Sequence, residues 1–540
     1  MSEENSSLAS GSPPASWPPR FPPTAAGIQV NHCKNPRCRN FGVPPKPESK
    51  RGAHAVRAAD VAPGDHPVTA AGKDLPQLKC RLCGEIFPMQ SNLAIAEELM
   101  RISAYLEPVI PRCPTASCAG AGFTRFGTNA HGTPRYRCSG CRKVFAFGGS
   151  ATKRQRETHY NRDIFQHLMN AMPLRRIIKV LEISPTVLYD RIDFLYEQCQ
   201  AFAGDREPTL LDRDLGKRYI SVDRQKLLVN WTTKASRKNT QLLSIASADQ
   251  ATGYVFAVNI NFDGALDSEA VERDGLRYGD PKLPKAFRRY ARVWLSADWE
   301  AATAAYTVQT LRSKNAAETP KGKRLKASIE ATYENALDRD DLDDGEGPSP
   351  HARTPLKGMV LHEMAVMNAH IQLVTRLLQR AEKLRFFIDQ ESGLRAAIMS
   401  AIPHRVKART ADAFYVKVMK DFTIDEKRAK VALANRRVKE VADGNGCGPD
   451  RAKLLMARQE LTVMPALGKW GDRWFRHPGA DMREPEKAIC WLTDIDPLEE
   501  NRLDRSLPRP QAERVVRQRG VVGVEHQRRA ALEASDRILF

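Results

Sequence analysis

Eight of the eleven cysteines lie in four close pairs, and both their type and their spacing suit metal binding. The pairs are Cys33/Cys38, Cys80/Cys83, Cys113/Cys118 and Cys138/Cys141. Two thiolates from each of two short loops can complete a tetrahedron around Zn²⁺. The N-terminus carries two acidic residues and no apolar segment, so we do not expect a secretory signal. The odd number of cysteines also excludes a closed set of disulfides. The pattern therefore predicts two structural zinc sites.

Each predicted zinc site belongs to a short, loop-rich segment. Cys113–Cys118 is followed, after the 19 residues 119–137, by Cys138-Ser-Gly-Cys141, which predicts a zinc ribbon over 110–150. A longer, Pro-rich gap separates the first two pairs, and we predict another ribbon over 31–90. Free thiols are the alternative for all eight. We interpret the remaining cysteines as ordinary thiols, namely Cys199, Cys447 and Cys490.

A second group of residues, three carboxylates, could do metal-dependent phosphoryl chemistry. Asp223 and Asp389 each end a short β-rich run, and Glu426 lies in the first turn of a predicted helix. Two Mg²⁺ or Mn²⁺ ions held by such acids can activate a nucleophilic oxygen and stabilise a leaving 3′-oxygen on phosphate. Asp425 is the rival for the third position, and Asp298 is the rival for Asp389.

Each of these acids also has a structural explanation. An aspartate at the end of a strand often forms a turn, and an acid in the first turn of a helix interacts favourably with the helix dipole. A catalytic role is therefore favoured by the order of the elements that carry the acids, and not by any one acid alone.

The predicted element order from residue 215 to residue 445 is that of an RNase H-like fold, with a mixed sheet and helices on both sides. Three antiparallel strands are followed by a helix, a strand, a short helix, a strand and a long helix. The predicted ranges are 219–223, 242–248, 254–260, 357–380, 384–389, 392–402, 413–419 and 423–441. Residues 265–355 read as a partly helical insertion whose acidic stretch at 338–346 is a solvated loop.

Residues 155–205 predict three helices in a helix-turn-helix arrangement. The first covers 160–171, the second begins at Pro173, and the third begins at Pro185 with Ser184 as its N-cap. The third helix would read DNA through Thr186, Tyr189 and Arg191. A structural three-helix bundle or a dimerisation hairpin is the alternative.

The charge of the chain favours an anionic partner. Lys and Arg number 84 against 64 Asp and Glu, which gives +20 and a pI near 9.5. Residues 281–330 hold eleven basic and four acidic residues, and residues 405–440 hold eleven and five. We predict DNA contacts from Arg135, Arg137, Lys143, Arg428, Arg436 and Arg437; a solvated basic surface is the alternative.

The rest of the chain gives weaker signals. No apolar run approaches the ~18 residues of a membrane span, so we expect a cytoplasmic protein. Residues 1–30 are Pro-rich and predict a disordered tail, and residues 91–109 predict a connecting helix. Residues 446–540 have an uncertain fold with an Arg-rich end.

Several of these segments resemble insertion-sequence DNA transposases over about residues 110–440. The resemblance rests on Cys113–Cys118 with Pro134-Arg-Tyr-Arg-Cys138-Ser-Gly-Cys141, on the helix-turn-helix, on the strand ending in Asp223, and on Phe386-Phe-Ile-Asp389-Gln-Glu-Ser-Gly393. It implies a DDE catalytic core that cuts transposon ends and joins the 3′-OH to target DNA. It also implies a nucleoid-associated protein of bacterial type, and a homo-oligomer on DNA because two ends must be paired.

The expected fold class is thus multidomain α+β, with two zinc ribbons, a helix-turn-helix unit and an interrupted RNase H-like domain. Two other functions remain open. The chain could be a non-catalytic, sequence-specific DNA-binding regulator related to an inactive transposase, or a nuclease that cuts without joining. The extra ribbon at 31–90 and the long insertion are departures from the minimal transposase pattern.

Overall fold

The computed structural model divides the chain into two compact units. One comprises the described residues of 19–102 and 211–493, and the other comprises the described residues of 103–210. The structure describes residues 19–46, 61–69, 76–107, 110–118, 121–148, 151–152, 155–231, 237–304, 325–330, 348, 351–391, 393–419, 421–463, 465–467 and 471–493. The predicted Arg-rich end, the acidic stretch at 338–346 and residues 1–18 of the predicted tail lie outside the described residues.

The first unit begins with a small antiparallel sheet and a helix. The strands are β1 (Val68–Thr69), β2 (Gln77–Lys79) and β3 (Ile86–Pro88), and helix α1 covers Asn92–Ser103. Leu78 and Phe87 from this sheet are fully buried and pack with Phe21 and Met89.

The expectation of a disordered tail is wrong for residues 19–30. Phe21 and Ile28 are buried, and the side-chain amide of Asn92 donates to the carbonyls of Pro22 at 3.2 Å and Pro23 at 2.9 Å. Proline cannot donate from its backbone nitrogen but its carbonyl accepts normally. A Pro-rich run therefore packs in an ordered way when a buried donor such as Asn92 faces it.

The second unit contains a three-stranded sheet and three helices. The strands are β4 (Phe123–Thr128), β5 (Pro134–Cys138) and β6 (Val144–Ala146). The helices are α2 (Tyr160–Met169), α3 (Leu174–Leu181) and α4 (Pro185–Arg206), around a core of Ile164, Ile177, Leu188 and Leu195.

A tight break separates α3 from α4. Glu182 adopts a left-handed conformation with φ of 53°, which ends α3, and the Ser184 hydroxyl accepts a hydrogen bond from the Val187 backbone N–H at 3.2 Å. A left-handed residue stops helical hydrogen bonding, and a serine N-cap begins it again in a new direction. The local sequence thus explains the two separate helices.

A seven-stranded mixed sheet forms the centre of the first unit. Its strands are β7 (Lys217–Val229), β8 (Thr240–Asp249), β9 (Val255–Ile260), β12 (Lys383–Ile388), β13 (Ala411–Met419), β14 (Trp474–Arg476) and β15 (Glu486–Trp491). The order is β14-β15-β13-β12-β7-β8-β9. Strands β12 and β13 run parallel to β7, and every other neighbouring pair is antiparallel.

Helices cover parts of both faces of this sheet. Helix α6 (Glu363–Leu377) packs against β8 and β9, and α7 (Leu394–Ala401) packs against α6. A short helix, α8 (Pro403–Lys407), leads into β13. Helix α9 (Ile424–Gly444) pairs with α10 (Pro449–Val463), whose Leu454 and Ala457 contribute to the core formed with β13, β14 and β15. No helix in the described part of the chain is long and apolar enough to cross a membrane.

The two ends of the insertion lie next to each other and are joined by a short strand pair. Strand β10 (Phe262–Asp263) pairs with β11 (Met359–Val360), and the insertion between them includes α5 (Ser268–Tyr278). Gly358 has a φ of +75°, and a Cβ there would lie 2.6 Å from the Asp263 carbonyl oxygen. Only glycine fits that turn, so helix α6 begins at Glu363 rather than at the predicted residue 357.

A buried polar network ties α6 to the sheet. His370 is fully buried, with Nε2 2.7 Å from the Ser247 hydroxyl and Nδ1 2.7 Å from the Asn259 side-chain oxygen. Burial lowers the pKa of His370 to about 3, and it lowers those of His362 and His477 to about 3 as well. These three imidazoles are therefore neutral in the folded chain at neutral pH.

We expect stability to fall as the pH falls from about 6.5 towards 4. The folded-state pKa values lie below the unfolded value of 6.5, so the unfolded chain binds more protons in this window. Each histidine contributes on the order of 1 kcal/mol per pH unit. Chemical denaturation at several pH values would measure this, and His370→Gln should reduce the slope. His131→Gln in an exposed loop is the matched control, and an unchanged slope in the His370 variant would contradict the explanation.

Candidate functional sites

The first four-cysteine cluster lies in the first unit. The thiol sulfurs of Cys33, Cys38, Cys80 and Cys83 all lie within 4.8 Å of one another. Sγ of Cys33 is 3.6 Å from Sγ of Cys83, and Sγ of Cys38 is 3.7 Å from Sγ of Cys80. The expected grouping of these two pairs is confirmed, although 41 residues separate Cys38 from Cys80.

The second cluster, in the second unit, has the same design. Sγ of Cys113 lies 3.5 Å from Sγ of Cys141, and Cys118 and Cys138 complete the group. The residue after the second cysteine of each Cys-x-x-Cys loop is left-handed, Gly84 with φ +75° and Arg142 with φ 62°. A hydrogen bond from the Lys143 backbone N–H lowers the pKa of the Cys141 thiol to about 6, so its thiolate is available near neutral pH.

Both clusters fit zinc. Four sulfurs at the usual Zn–S distance of about 2.3 Å form a tetrahedron with edges of roughly 3.8 Å, close to the observed 3.5–3.7 Å. A disulfide would require about 2.05 Å. Cys33, Cys38, Cys80 and Cys83 could thus hold one structural Zn²⁺, and Cys113, Cys118, Cys138 and Cys141 a second.

The first ribbon packs tightly within its unit. Phe41 is 1% exposed and has the Lys407 ammonium 6.0 Å from its ring, and a Cβ on Gly42 would lie 2.4 Å from the Pro403 side chain. Phe87 packs in one cluster with Ala286 of the insertion.

An ion network anchors the helix after this ribbon. Glu98 on α1 is fully buried and accepts from Arg101 at 2.6 Å and from Arg292 at 3.0 Å. Arg292 also bonds Asp263 at 3.0 Å. Since the network joins α1, the insertion and β10, the first ribbon is an integral part of the first unit.

We expect elemental analysis to find about two zinc ions per chain. Cys80→Ser should lower the unfolding temperature of the first unit by more than about 5 °C, because the first ribbon contributes buried side chains to it. Cys138→Ser removes an equivalent ligand from the other unit, so it should leave that transition unchanged. A natively folded, zinc-free preparation would contradict the prediction.

Two of the predicted acids lie at adjacent positions on neighbouring parallel strands. The last paired residues of β7 and β12 in this register are Val222 and Ile388, and the next residue on each strand is Asp223 and Asp389. Both aspartates are exposed. Neighbouring strands lie about 4.8 Å apart, so two carboxylates face solvent where β12 ends and β7 continues, a place that we call the acidic edge.

The third predicted acid is held differently. Glu426 is exposed in the first turn of α9, where its carboxylate accepts from the Thr423 backbone N–H at 2.8 Å and the Thr423 hydroxyl at 3.0 Å. Thr423 in turn accepts from the Glu426 backbone N–H at 3.3 Å, which completes a capping box. Among the described residues, the metal-binding groupings of three or more ligands are the two cysteine clusters. The three acids therefore do not converge in this structure.

The two rival acids are also engaged in ion pairs. Asp298 pairs with Arg288, whose side chain is 5% exposed, so this aspartate holds the insertion together. Asp425 is almost fully exposed and lies 3.5 Å from Arg428 on the same helix.

A buried arginine that the sequence analysis missed positions the loop of Asp389. Arg224 follows Asp223, points to the other face of the sheet and is 6% exposed. Its Nε donates to Glu391 at 2.6 Å and its Nη1 donates to Glu363 at the start of α6. In the same loop, a Cβ on Gly393 would lie 2.4 Å from the Met367 side chain. The loop after β12 is thus fixed by ion pairing at one end and close packing at the other.

We expect Arg224→Met to lower the free energy of unfolding by about 3 kcal/mol, because it removes a buried cation that bonds both Glu363 and Glu391. Arg380→Met removes a surface partner of Asp214 in the same unit and should cost less than about 1 kcal/mol. Denaturant titration of both variants tests this, and equal effects would contradict a structural role for the Arg224 ion pairs.

The predicted DNA-contacting side chains have different surroundings. Thr186 and Tyr189 on α4 are exposed, as are Lys143, Arg428, Arg436 and Arg437. Arg135 and Arg137 on β5 are half-buried. Arg191 differs from the expectation: it is 8% exposed and its guanidinium donates to the Arg156 carbonyl. Helical periodicity places it on the core side of α4.

Two comparisons of the sequence with known proteins found no match. The sequence matches none of the protein families compared with it, and no curated protein is similar to it.

Proposed function

We propose that this chain is a DNA transposase of the DDE type, which binds transposon ends, cleaves DNA and joins the ends to a target. The observation that carries the proposal is the register of β7 and β12, in which Asp223 and Asp389 follow the paired Val222 and Ile388. Two carboxylates at one exposed sheet edge suit hard divalent cations such as Mg²⁺ or Mn²⁺.

The strand order supports an RNase H-like core. Strands β9, β8 and β7 form an antiparallel meander, and β12 and β13 continue the sheet parallel to β7. This is the order expected from the sequence when strands 1 and 4 of such a core are neighbours. Strands β14 and β15 extend the other edge.

The acidic edge is suited to phosphoryl transfer. Divalent ions held there would lower the pKa of an attacking hydroxyl group and neutralise charge on the phosphate. Asp223 and Asp389 would hold those ions, and the Arg224 ion pairs would keep Asp389 in place. In cleavage, a water oxygen attacks phosphorus and the 3′-oxygen leaves. In joining, the freed 3′-OH attacks a target phosphate and the target's 3′-oxygen leaves.

DNA recognition would come from the second unit. The capped break between α3 and α4, with exposed Thr186 and Tyr189 at the start of α4, suits a helix-turn-helix that reads the major groove. Exposed Arg428, Arg436 and Arg437 on α9 would add phosphate contacts.

The test is a cleavage and strand-transfer assay on the DNA that flanks the gene. Asp223→Asn and Asp389→Asn should each abolish Mg²⁺- or Mn²⁺-dependent products while duplex binding persists. Asp214→Asn removes an exposed aspartate away from the edge and should be active. Full activity in both edge variants would overturn the assignment.

The same assay separates the possible third acids. Glu426→Gln abolishes activity if Glu426 leaves its capping box to bind metal, and Asp425→Asn abolishes it if Asp425 does so. Wild-type cleavage without joined products would identify a nuclease instead.

A non-catalytic, sequence-specific DNA-binding regulator is the second candidate. The capping box favours it, because the Glu426 carboxylate is already committed to Thr423. It predicts sequence-specific binding that survives both aspartate substitutions, with no products from the wild type.

A further inference from the structure

The second ribbon lies in a long segment that contains no acidic residue. Between Glu107 and Glu157 the sequence has no Asp or Glu and nine basic residues: Arg112, Arg125, Arg135, Arg137, Arg142, Lys143, Lys153, Arg154 and Arg156. The first ribbon is mixed, with ten basic and five acidic residues over 31–90. A zinc tetrathiolate would remove about two charges from the second ribbon and still leave it strongly positive.

The sheet of this ribbon has two different faces. On one face Tyr136 packs against Phe123, Phe145 and Phe147, with ring centroids 5.4–6.3 Å apart. These rings form the small core of the ribbon. The opposite face carries Phe126 on β4 with Arg135 and Arg137 on β5, and their cross-strand neighbours are Thr124, Val144 and Ala146.

The guanidinium groups of Arg135 and Arg137 lie over the ring of Phe126, and we call these three residues the Phe126 platform. The Arg137 guanidinium carbon lies 3.8 Å from the centre of the Phe126 ring, and that of Arg135 lies 5.6 Å from it. The ring is 37% exposed. Among the residues that the structure describes, neither guanidinium has a carboxylate partner. A stacked guanidinium keeps its N–H edges free to donate to phosphate.

We propose that the Phe126 platform binds unpaired DNA, with a base stacked on the Phe126–Arg137 layer and the neighbouring phosphates on Arg135 and Arg137. This inference rests on the proposed function in assuming that the chain acts on DNA, and it adds a second mode of binding to it. Bases in a duplex are already stacked on each other, so an exposed flat ring has no base face to contact there. In a single strand each base presents a free π-face, and a basic surface follows the backbone.

Fluorescence anisotropy of the full-length protein on a labelled single-stranded oligonucleotide and on its duplex tests the proposal. Phe126→Ala should weaken single-strand binding about ten-fold, as expected for the loss of one base stack, and should change duplex binding by less than about two-fold. Val144→Ala truncates an apolar side chain of similar exposure on the same face, and it should leave both affinities unchanged. Zinc content and circular dichroism establish that each variant is folded.

Two further arms separate stacking from charge. Arg137→Gln should weaken binding to both DNA forms and reduce the dependence of affinity on salt. Inorganic polyphosphate, which has no bases, should compete with DNA equally well for binding to the wild-type protein and to the Phe126 variant. The proposal would be overturned if Phe126→Ala bound single-stranded DNA as tightly as the wild-type protein does. It would also be overturned if the wild-type protein preferred single-stranded RNA to DNA of the same sequence. Wild-type protein that binds the single strand but gives no strand-transfer products would instead count against the proposed transposase function.

Discussion

The parallel pairing of β7 and β12 is the interaction on which the first unit depends. It joins residues 217–222 to residues 383–388, and strands β8 to β11, the insertion and α6 all lie between them in the chain. Parallel strands cannot be joined by a tight turn, so a crossover connection has to cover the sheet. Here the crossover ends in α6, whose buried His370 bonds both β8 and β9. The same pairing places Asp223 beside Asp389.

Much of the architecture could be predicted because the local signals were strong. The Ser184-Pro185 cap and the Thr423 capping box each mark the start of a helix, and both helices begin there. The spacing of the cysteines predicted two groups of four sulfurs. Periodicity could not give the full length of β7, which continues past Asp223 to Val229. Leu227 and Val229 in its last part belong to one hydrophobic cluster with Trp294 and Trp299 of the insertion, and such partners are distant in sequence.

In the candidate site too, local sequence signals could be predicted and contacts between remote residues could not. Asp223 and Asp389 could be found because each ends a short β-rich run, whereas the role of Arg224 depends on Glu363 and Glu391, which are remote in the sequence. The third acid illustrates the opposite problem. Glu426 satisfies a strong local motif, and that motif explains its position without any metal. The sequence alone shows that no acidic residue lies between Glu107 and Glu157, but it does not show that Arg137 stacks on Phe126.

The pairing of β10 with β11 has a consequence for how the chain tolerates change. The two ends of the insertion meet where β10 pairs with β11. The entropic cost of closing the connection from Gly264 to Gly358 therefore grows only with the logarithm of its length. Doubling such a loop costs about 0.6 kcal/mol. Parts of the insertion that pack against nothing else could therefore be gained or lost during evolution with little effect on the seven-stranded sheet. The conditions are that the glycine turn, the two-residue pairing and the contacts of Arg292, Trp294 and Trp299 are kept.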